Sequence, residues 1–271
     1  MGDSVVHRPG MPGALVHRSA HRGGGRVGWW VSVVGMTSLV TPLVMVLGAS
    51  GGLGASTWAA ALARRLSTHL GECVLVDGDV RGGGLDMTCG TEHIPGLRWP
   101  DLARLRGTTS CSRLIAALPR GEVPVLSAGG HGAAVDDSVL IDVLGSIRWD
   151  VPVVLDAPSL TPLFAALAED AAAVHVVSGL QARQLADTEA LLSDLSGSGV
   201  GLVTRSSSGL GAEFDEVLEH LGTPHLAHVR HDPRVRRDAE RGEWPGLRGP
   251  LRDTADHVVL ELLDDLGWRA A

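Results

Sequence analysis

LVMVLGASGGLGAST, Leu43 to Thr57, is the stretch whose reading decides the fold. Leu43 to Leu47 are apolar without alternation, as a strand buried on both faces requires. The chain then breaks into glycines and re-enters a helix-patterned stretch, Ala55 to Leu70, that Gly71 closes. Gly48, Ser50, Gly51, Gly52, Leu53, Gly54, Ala55, Ser56 and Thr57 form the connection. Gly51, Gly52 and Gly54 let the backbone wind tightly and aim its N–H groups inward, and the helix start adds partial positive charge, so the turn reads as an anion cradle. Glycine in a tight strand-to-helix turn is by itself weak support for this, because any such connection uses it.

Working outward, further continuous apolar runs follow at Cys73 to Val76, Val123 to Leu126, Pro152 to Leu155, Ala173 to Val177, Val200 to Val203 and Leu226 to Val229. Helix-patterned stretches separate them: Asp136 to Ile147, Gln181 to Leu195, Ala212 to Leu221 and Leu251 to Leu266. Alternating strand and helix predicts an α/β fold, a doubly wound and mostly parallel sheet with helices on both faces. Ligands of such sheets sit at the carboxyl ends of the strands. Asp77 and Asp79 lie at the end of one strand in VLVDGDV, and Asp156 at the end of another in VPVVLDAP. A single aspartate there more often caps the next helix. Three in order behind such a loop point instead to a Mg²⁺ site of Ser56, Asp79 and Asp156, with Ser56 a direct ligand and Asp156 acting through water.

Composition narrows the class. The chain has 271 residues, enough for one large domain, expected over residues 41–271 behind an irregular tail over residues 1–40. Its formal net charge of -8 argues against generic nucleic-acid binding. The sequence contains no lysine, so apart from histidine every basic side chain is arginine. Three cysteines without a C-x-x-C pair indicate neither a disulfide framework nor a zinc site, and they fit a reducing cytoplasm. Met1 to Arg26 reads as a disordered basic tail. Val27 to Gly48 would score as a membrane span, yet Pro42 interrupts it and the first core strand claims its end. What is left falls short of the roughly 20 residues a spanning helix needs. Membrane contact is therefore expected only indirectly or through this apolar segment, with an anchor or signal peptide as the alternative. His225, His228 and His231 surround one strand, where alternation sends neighbours to opposite sides, so no metal site is expected of them. The C-terminal HVVLELLDDLGW is amphipathic but acidic and would be repelled by an anionic membrane.

GASGGLGAST, the Asp77-Gly78-Asp79 pair and the Asp156-Ala157-Pro158 turn together resemble the MinD/ParA (deviant Walker A) superfamily of P-loop NTPases, the SIMIBI type. VLVDGDVRGGGLDMTCGTE and GLRWPDL are similar to its actinobacterial CpaE-like, TadZ-like and septum-site-determining branch. The resemblance covers most of the chain from Leu43 onward. It implies ATP or ADP with Mg²⁺ as ligand, Asp77 orienting water if the protein is active, and Arg205 and Asp232 beside the base. Asp232 lies in VRHDPRVRRDAERGEWPG, which resembles the segment flanking the base, and LVTRS places Thr204 where relatives have asparagine.

Departures from the pattern shape the functional expectation. Ser50 stands where relatives carry the lysine that reaches across the dimer, and Ala55 where they carry the one that holds the β- and γ-phosphates. Loss of one such contact costs on the order of 10²-fold in phosphoryl transfer, so fast hydrolysis is not expected. Arg81 and Arg205 are the candidates for replacement charge. Relatives in that branch carry a receiver-like domain in front, and the stretch before Leu43 is too short for one, so either it is missing or the coding start lies upstream. The expectation is a cytoplasmic positioning or assembly regulator that dimerises through its P-loop face. Pilus, secretion or division proteins would be its partners and would recruit it to membrane or pole. A slow MinD-like ATPase and a ParA-like partition protein are the alternatives.

Overall fold

The computed structural model describes residues 16–18, 31–33, 42–82, 84–129, 135–195, 199–206 and 210–267. It divides between Val40 and Thr41. In the first unit β1 (Val16–Arg18) and β2 (Val31–Val33) pair antiparallel. The rest of the tail and apolar segment expected before Thr41 lies outside the described residues.

The second unit holds a seven-stranded sheet in which every pairing is parallel. Its strands are β3 (Leu43–Gly48), β4 (Val74–Asp77), β5 (Val125–Leu126), β6 (Val153–Ala157), β7 (Ala173–Gly179), β8 (Val200–Ser206) and β9 (His225–Arg230). They lie side by side in the order β5-β4-β6-β3-β7-β8-β9, so the glycine-rich turn leaves the central strand. All seven strands fall where the apolar runs place them. The longer predicted helices also form: α1 (Ala55–Leu70), α5 (Asp137–Ile147), α7 (Ala182–Asp194), α8 (Phe214–Leu221) and α10 (Gly249–Asp265). The sequence reading misses α2 (Leu85–Cys89), α3 (Trp99–Leu102), α4 (Cys111–Ala117), α6 (Pro162–Asp170) and α9 (Pro233–Ala239). These have four to nine residues, too few turns to show a 3.6-residue period. For α6 a cue existed nonetheless, since Thr161 caps it and Pro162 occupies its first turn.

The core explains why the strands lack alternation. Val44 and Val46 pack on one side of the sheet with Trp58, Leu62 and Leu66 of α1 and Val258 and Val259 of α10. Met45 and Leu47 pack on the other with Leu140, Val143 and Leu144 of α5. Each strand residue therefore meets apolar partners whichever way it points. Among the polar groups inside this core, His175 of β7 is completely buried and takes the indole N–H of Trp58 on Nδ1 at 3.2 Å. Burial depresses its pKa from 6.5 to about 4.

At the far edge of the sheet, β9 corrects one expectation. A register shift between Leu202/Val203 on β8 lets β9 bulge around Leu226, which resets the alternation. His225 and His228 consequently share a side, both reaching the hydroxyl of Thr204 at 3.0 Å, with Phe214 edge-on to each ring. Among the described residues no three His, Cys, Asp or Glu side chains gather to hold a metal. No helix among them is long and apolar enough to cross a membrane.

His175 makes the fold acid-sensitive in a defined window. Its folded pKa lies below the unfolded value, so its stabilising contribution is present above pH 6.5 and is lost as pH falls toward 4. His175→Gln keeps an acceptor for Trp58 but cannot be protonated. Between pH 7 and 5 it is expected to lose roughly 2 kcal/mol less stability than the parent, read from urea midpoints at both pH values. An identical pH dependence in the two proteins would refute this.

Candidate functional site

The C-terminal edge of the sheet carries a cleft of about 600 Å³. Its floor is the turn after β3: Gly48, Ser50, Gly51, Gly52, Leu53, Gly54, Ala55, Ser56 and Thr57 all line it. Gly52 and Gly54 have φ of 77° and 84°, a left-handed conformation that side-chained residues rarely adopt. Gly54 is forced twice, because a Cβ there would also strike the guanidinium of Arg205. These turns bring the chain into α1 with its first residues, Ala55, Ser56 and Thr57, lining the cleft, as an anion cradle at a helix start requires.

Asp77, Asp79 and Asp156 line the same cleft, together with Ala157 and Pro158. Asp77 and Asp156 are register partners on β4 and β6, only 4% and 8% exposed. Two carboxylates side by side at the top of a buried sheet are costly to ionise. Burial, followed by the charge of Asp156, lifts Asp77 from 3.8 to about 7. Burial lifts Asp156 to about 6, against a hydrogen bond from Ser56 that favours its ionised form. Both oxygens of Asp77 also accept backbone N–H groups, Oδ1 from Asp79 at 3.0 Å and Oδ2 from Leu85 at 3.4 Å. Asp79 Oδ1 accepts from the N–H groups of Arg81 and Gly82, at 3.2 and 2.9 Å, stiffening its own turn.

Ser56 bonded to Asp156, with Asp77 alongside, is an all-oxygen donor set that suits a hard cation keeping several waters and phosphate oxygens. The residues present therefore fit Mg²⁺. Asp232 does not line this cleft. Its Oδ1 caps α9 through the N–H of Arg234 at 2.9 Å, and it borders a smaller neighbouring pocket with Leu53, Gly54 and Arg205. Arg205 borders both spaces, while Arg81 is exposed and borders neither.

Several contacts here have no counterpart in the sequence reading. Ser50 donates its hydroxyl to Asp187 of α7 at 2.6 Å, which ties the loop to a helix of its own chain. Trp99 donates its indole N–H to the carbonyl of Asp77 at 2.8 Å. Arg98 braces that corner through the carbonyls of Thr91 and Ile94, at 2.7 and 3.2 Å, and the hydroxyl of Ser127 at 2.9 Å. The run GLRWPDL thus holds the strand end that carries Asp77, and its unusual composition was the available signal. Val235, Arg236 and Ala239 of α9 form the wall opposite the loop. Nothing in the sequence marked Arg236 among the arginines around it.

No family model matches the chain. Two uncharacterized proteins of Mycobacterium tuberculosis, from strains CDC 1551 and H37Rv, are each 37% identical to it over 230 residues, 83% of this chain. The chain spans 65% of the length of those relatives. Among solved structures, a ParA family ATPase from Chlorobium tepidum superposes with a TM-score of 0.64 at 17% identity, over 82% of this chain and 98% of that one. MinD in the MinC:MinD cell division complex of Aquifex aeolicus gives 0.63 at 16% identity, over 83% and 96%. MinD of Pyrococcus horikoshii, a septum site-determining protein complexed with Mg-ADP, gives 0.55 at 18%, over 84% and 97%. The chain has the fold of these ParA and MinD ATPases.

The carboxyl pair has a measurable consequence. Asp77 holds its proton more tightly when folded, so the stability linked to it is full below pH 4 and is lost as pH rises through 7. Asp77→Asn removes that penalty and is expected to raise stability by on the order of 2 kcal/mol at pH 8 and by almost nothing at pH 4. Equal changes in denaturation midpoint at the two pH values would contradict it. Millimolar Mg²⁺ at pH 8 is expected to raise the melting temperature of the parent more than that of the variant.

Proposed function

We propose that the chain is a nucleotide-binding member of the MinD/ParA superfamily that holds ATP or ADP with Mg²⁺ and turns it over slowly or not at all. The observation that carries this reading is the wound loop over Ser56 and Asp156, complete in backbone and metal-side oxygens yet offering no cationic side chain of its own. Backbone amides and a cation are enough to bind phosphates. Transfer of a phosphoryl group asks for positioned positive charge at the atoms where negative charge builds up. Ser50 and Ala55 offer none.

Such a protein acts by state rather than by turnover. We infer a positioning or assembly regulator of the CpaE-like and septum-site-determining kind, pairing with a second copy across its P-loop face and recruiting division, pilus or secretion proteins in the cytoplasm. The motif set GGGLD and GLRWPDL supports that branch. The placement of Asp77 in the cleft supports a second reading, a slow MinD-like ATPase in which this carboxylate orients water. The net charge of -8 counts against a ParA-like partition role on DNA.

Steady-state ATP turnover of the purified protein is expected at background. Magnesium-dependent turnover abolished by Asp77→Ala would establish the ATPase reading instead. Ala55→Lys restores an ammonium at the helix start and is expected to tighten ATP by about tenfold or more in calorimetry. Unchanged affinity in that variant would show that the loop does not hold phosphates. Light scattering with and without nucleotide reads the monomer–dimer balance on the same samples.

A further inference from the structure

The cleft lacks a lysine but is not without cations. Two guanidiniums line it, Arg205 from the end of β8 and Arg236 from α9, facing a floor and wall whose carboxylates are Asp77, Asp79 and Asp156. Arg205 crosses from its strand to the loop and donates through Nη1 to the carbonyl of Leu53 at 2.7 Å. It can lie there only because residue 54 has no Cβ. It is half-buried, burial lowers its pKa, and among the described residues no carboxylate pairs with it. A neutral carbonyl is a poor counterpart for a guanidinium withdrawn from water, and such a charge is costly to keep unless an anion meets it. The Arg236 side chain is 85% exposed and, among the described residues, paired only with Glu240, at 3.1 Å one helical turn away. A pair that exposed contributes little, so exchanging Glu240 for another anion costs little.

Chain position alone would not join these two residues. Arg205 ends an inner strand of the sheet, and Arg236 lies on a helix that begins after the edge strand. The fold brings both into the lining of one cleft, together with the backbone cradle, against which Arg205 lies, and the Ser56–Asp156 pair.

We propose that Arg205 and Arg236 supply the positive charge for a polyphosphate ligand that the loop itself lacks, so that the phosphates are held jointly by backbone amides, Mg²⁺ and two guanidiniums. This rests on the nucleotide-binding reading and adds to it the source of charge. The clamp is assembled from β8 and α9, outside the loop. Planar five-donor guanidiniums can each take two phosphate oxygens, which an ammonium cannot reproduce. It also makes phosphate number the quantity the cleft measures, since an uncharged nucleoside gains nothing from either arginine.

The test is a calorimetric series of ATP, ADP, AMP and adenosine with Mg²⁺ at low salt, on the parent chain and on Arg205→Gln, Arg205→Lys and Arg236→Gln. In the parent, affinity is expected to climb with each added phosphate. Each glutamine variant is expected to weaken ADP by about tenfold or more and to flatten the series, while adenosine is unchanged; lysine at 205 recovers only part of the loss. Arg236 lies on the surface, so its variant folds whether or not Arg205→Gln does, and melting curves identify any variant that does not. Parent binding with ADP affinity unchanged or tightened in both glutamine variants overturns the clamp and leaves nucleotide binding standing. No binding of any of the four ligands by the parent overturns both.

Discussion

A parallel sheet with helices on both faces has no room for polar chemistry along its strands, and that constraint organises this molecule. β3, β4, β6 and β7 are buried almost throughout, on two sides. Polar and charged groups are therefore displaced to the strand ends, where the backbone leaves the sheet and has hydrogen-bonding groups to spare. The loop after β3, Asp77 at the end of β4, Asp156 in β6 and Arg205 in β8 meet at one edge for this reason. His175 is the exception that shows the cost: placed inside the core, it must stay neutral, and Trp58 donates to it on those terms.

Charge at that edge is distributed unusually. The loop keeps its backbone geometry, with Gly52 and Gly54 in left-handed conformations, while the two positions that would carry ammonium groups hold Ser50 and Ala55. The Ser50 hydroxyl is engaged by Asp187, which joins the loop to α7 within one chain. Burial raises the proton affinity of both Asp77 and Asp156, and at Asp77 the charge of Asp156 adds to it. Under the proposed nucleotide-binding reading, Mg²⁺ and phosphate would each offset the charge that makes the other costly.

Much of this was legible beforehand because period and punctuation are local properties. Continuous β-branched runs announce two-sided burial, and Gly51, Gly52 and Gly54 announce a tight turn, without reference to anything distant. Helices of four to nine residues escaped because they are held by packing and caps rather than by a repeating apolar stripe. The histidines of β9 were placed on opposite sides because strict alternation was assumed, and a single bulge reverses that assumption. Trp99 stood out in GLRWPDL, but its bond to the Asp77 carbonyl joins residues 22 apart and has no local signature.

The sequence by itself determined the order of strands and helices, the shape of the glycine turn, the three aspartates at strand ends and the absence of any lysine, since each is written in adjacent residues. Only the tertiary structure decided which side chains share the cleft. It brought in Arg236, set Asp232 in the pocket next door, turned Ser50 toward Asp187 and laid Arg205 against Gly54. Those outcomes depend on strand order, on one bulge and on how α7 and α9 pack, and each joins residues too far apart in the chain for any local pattern to connect them.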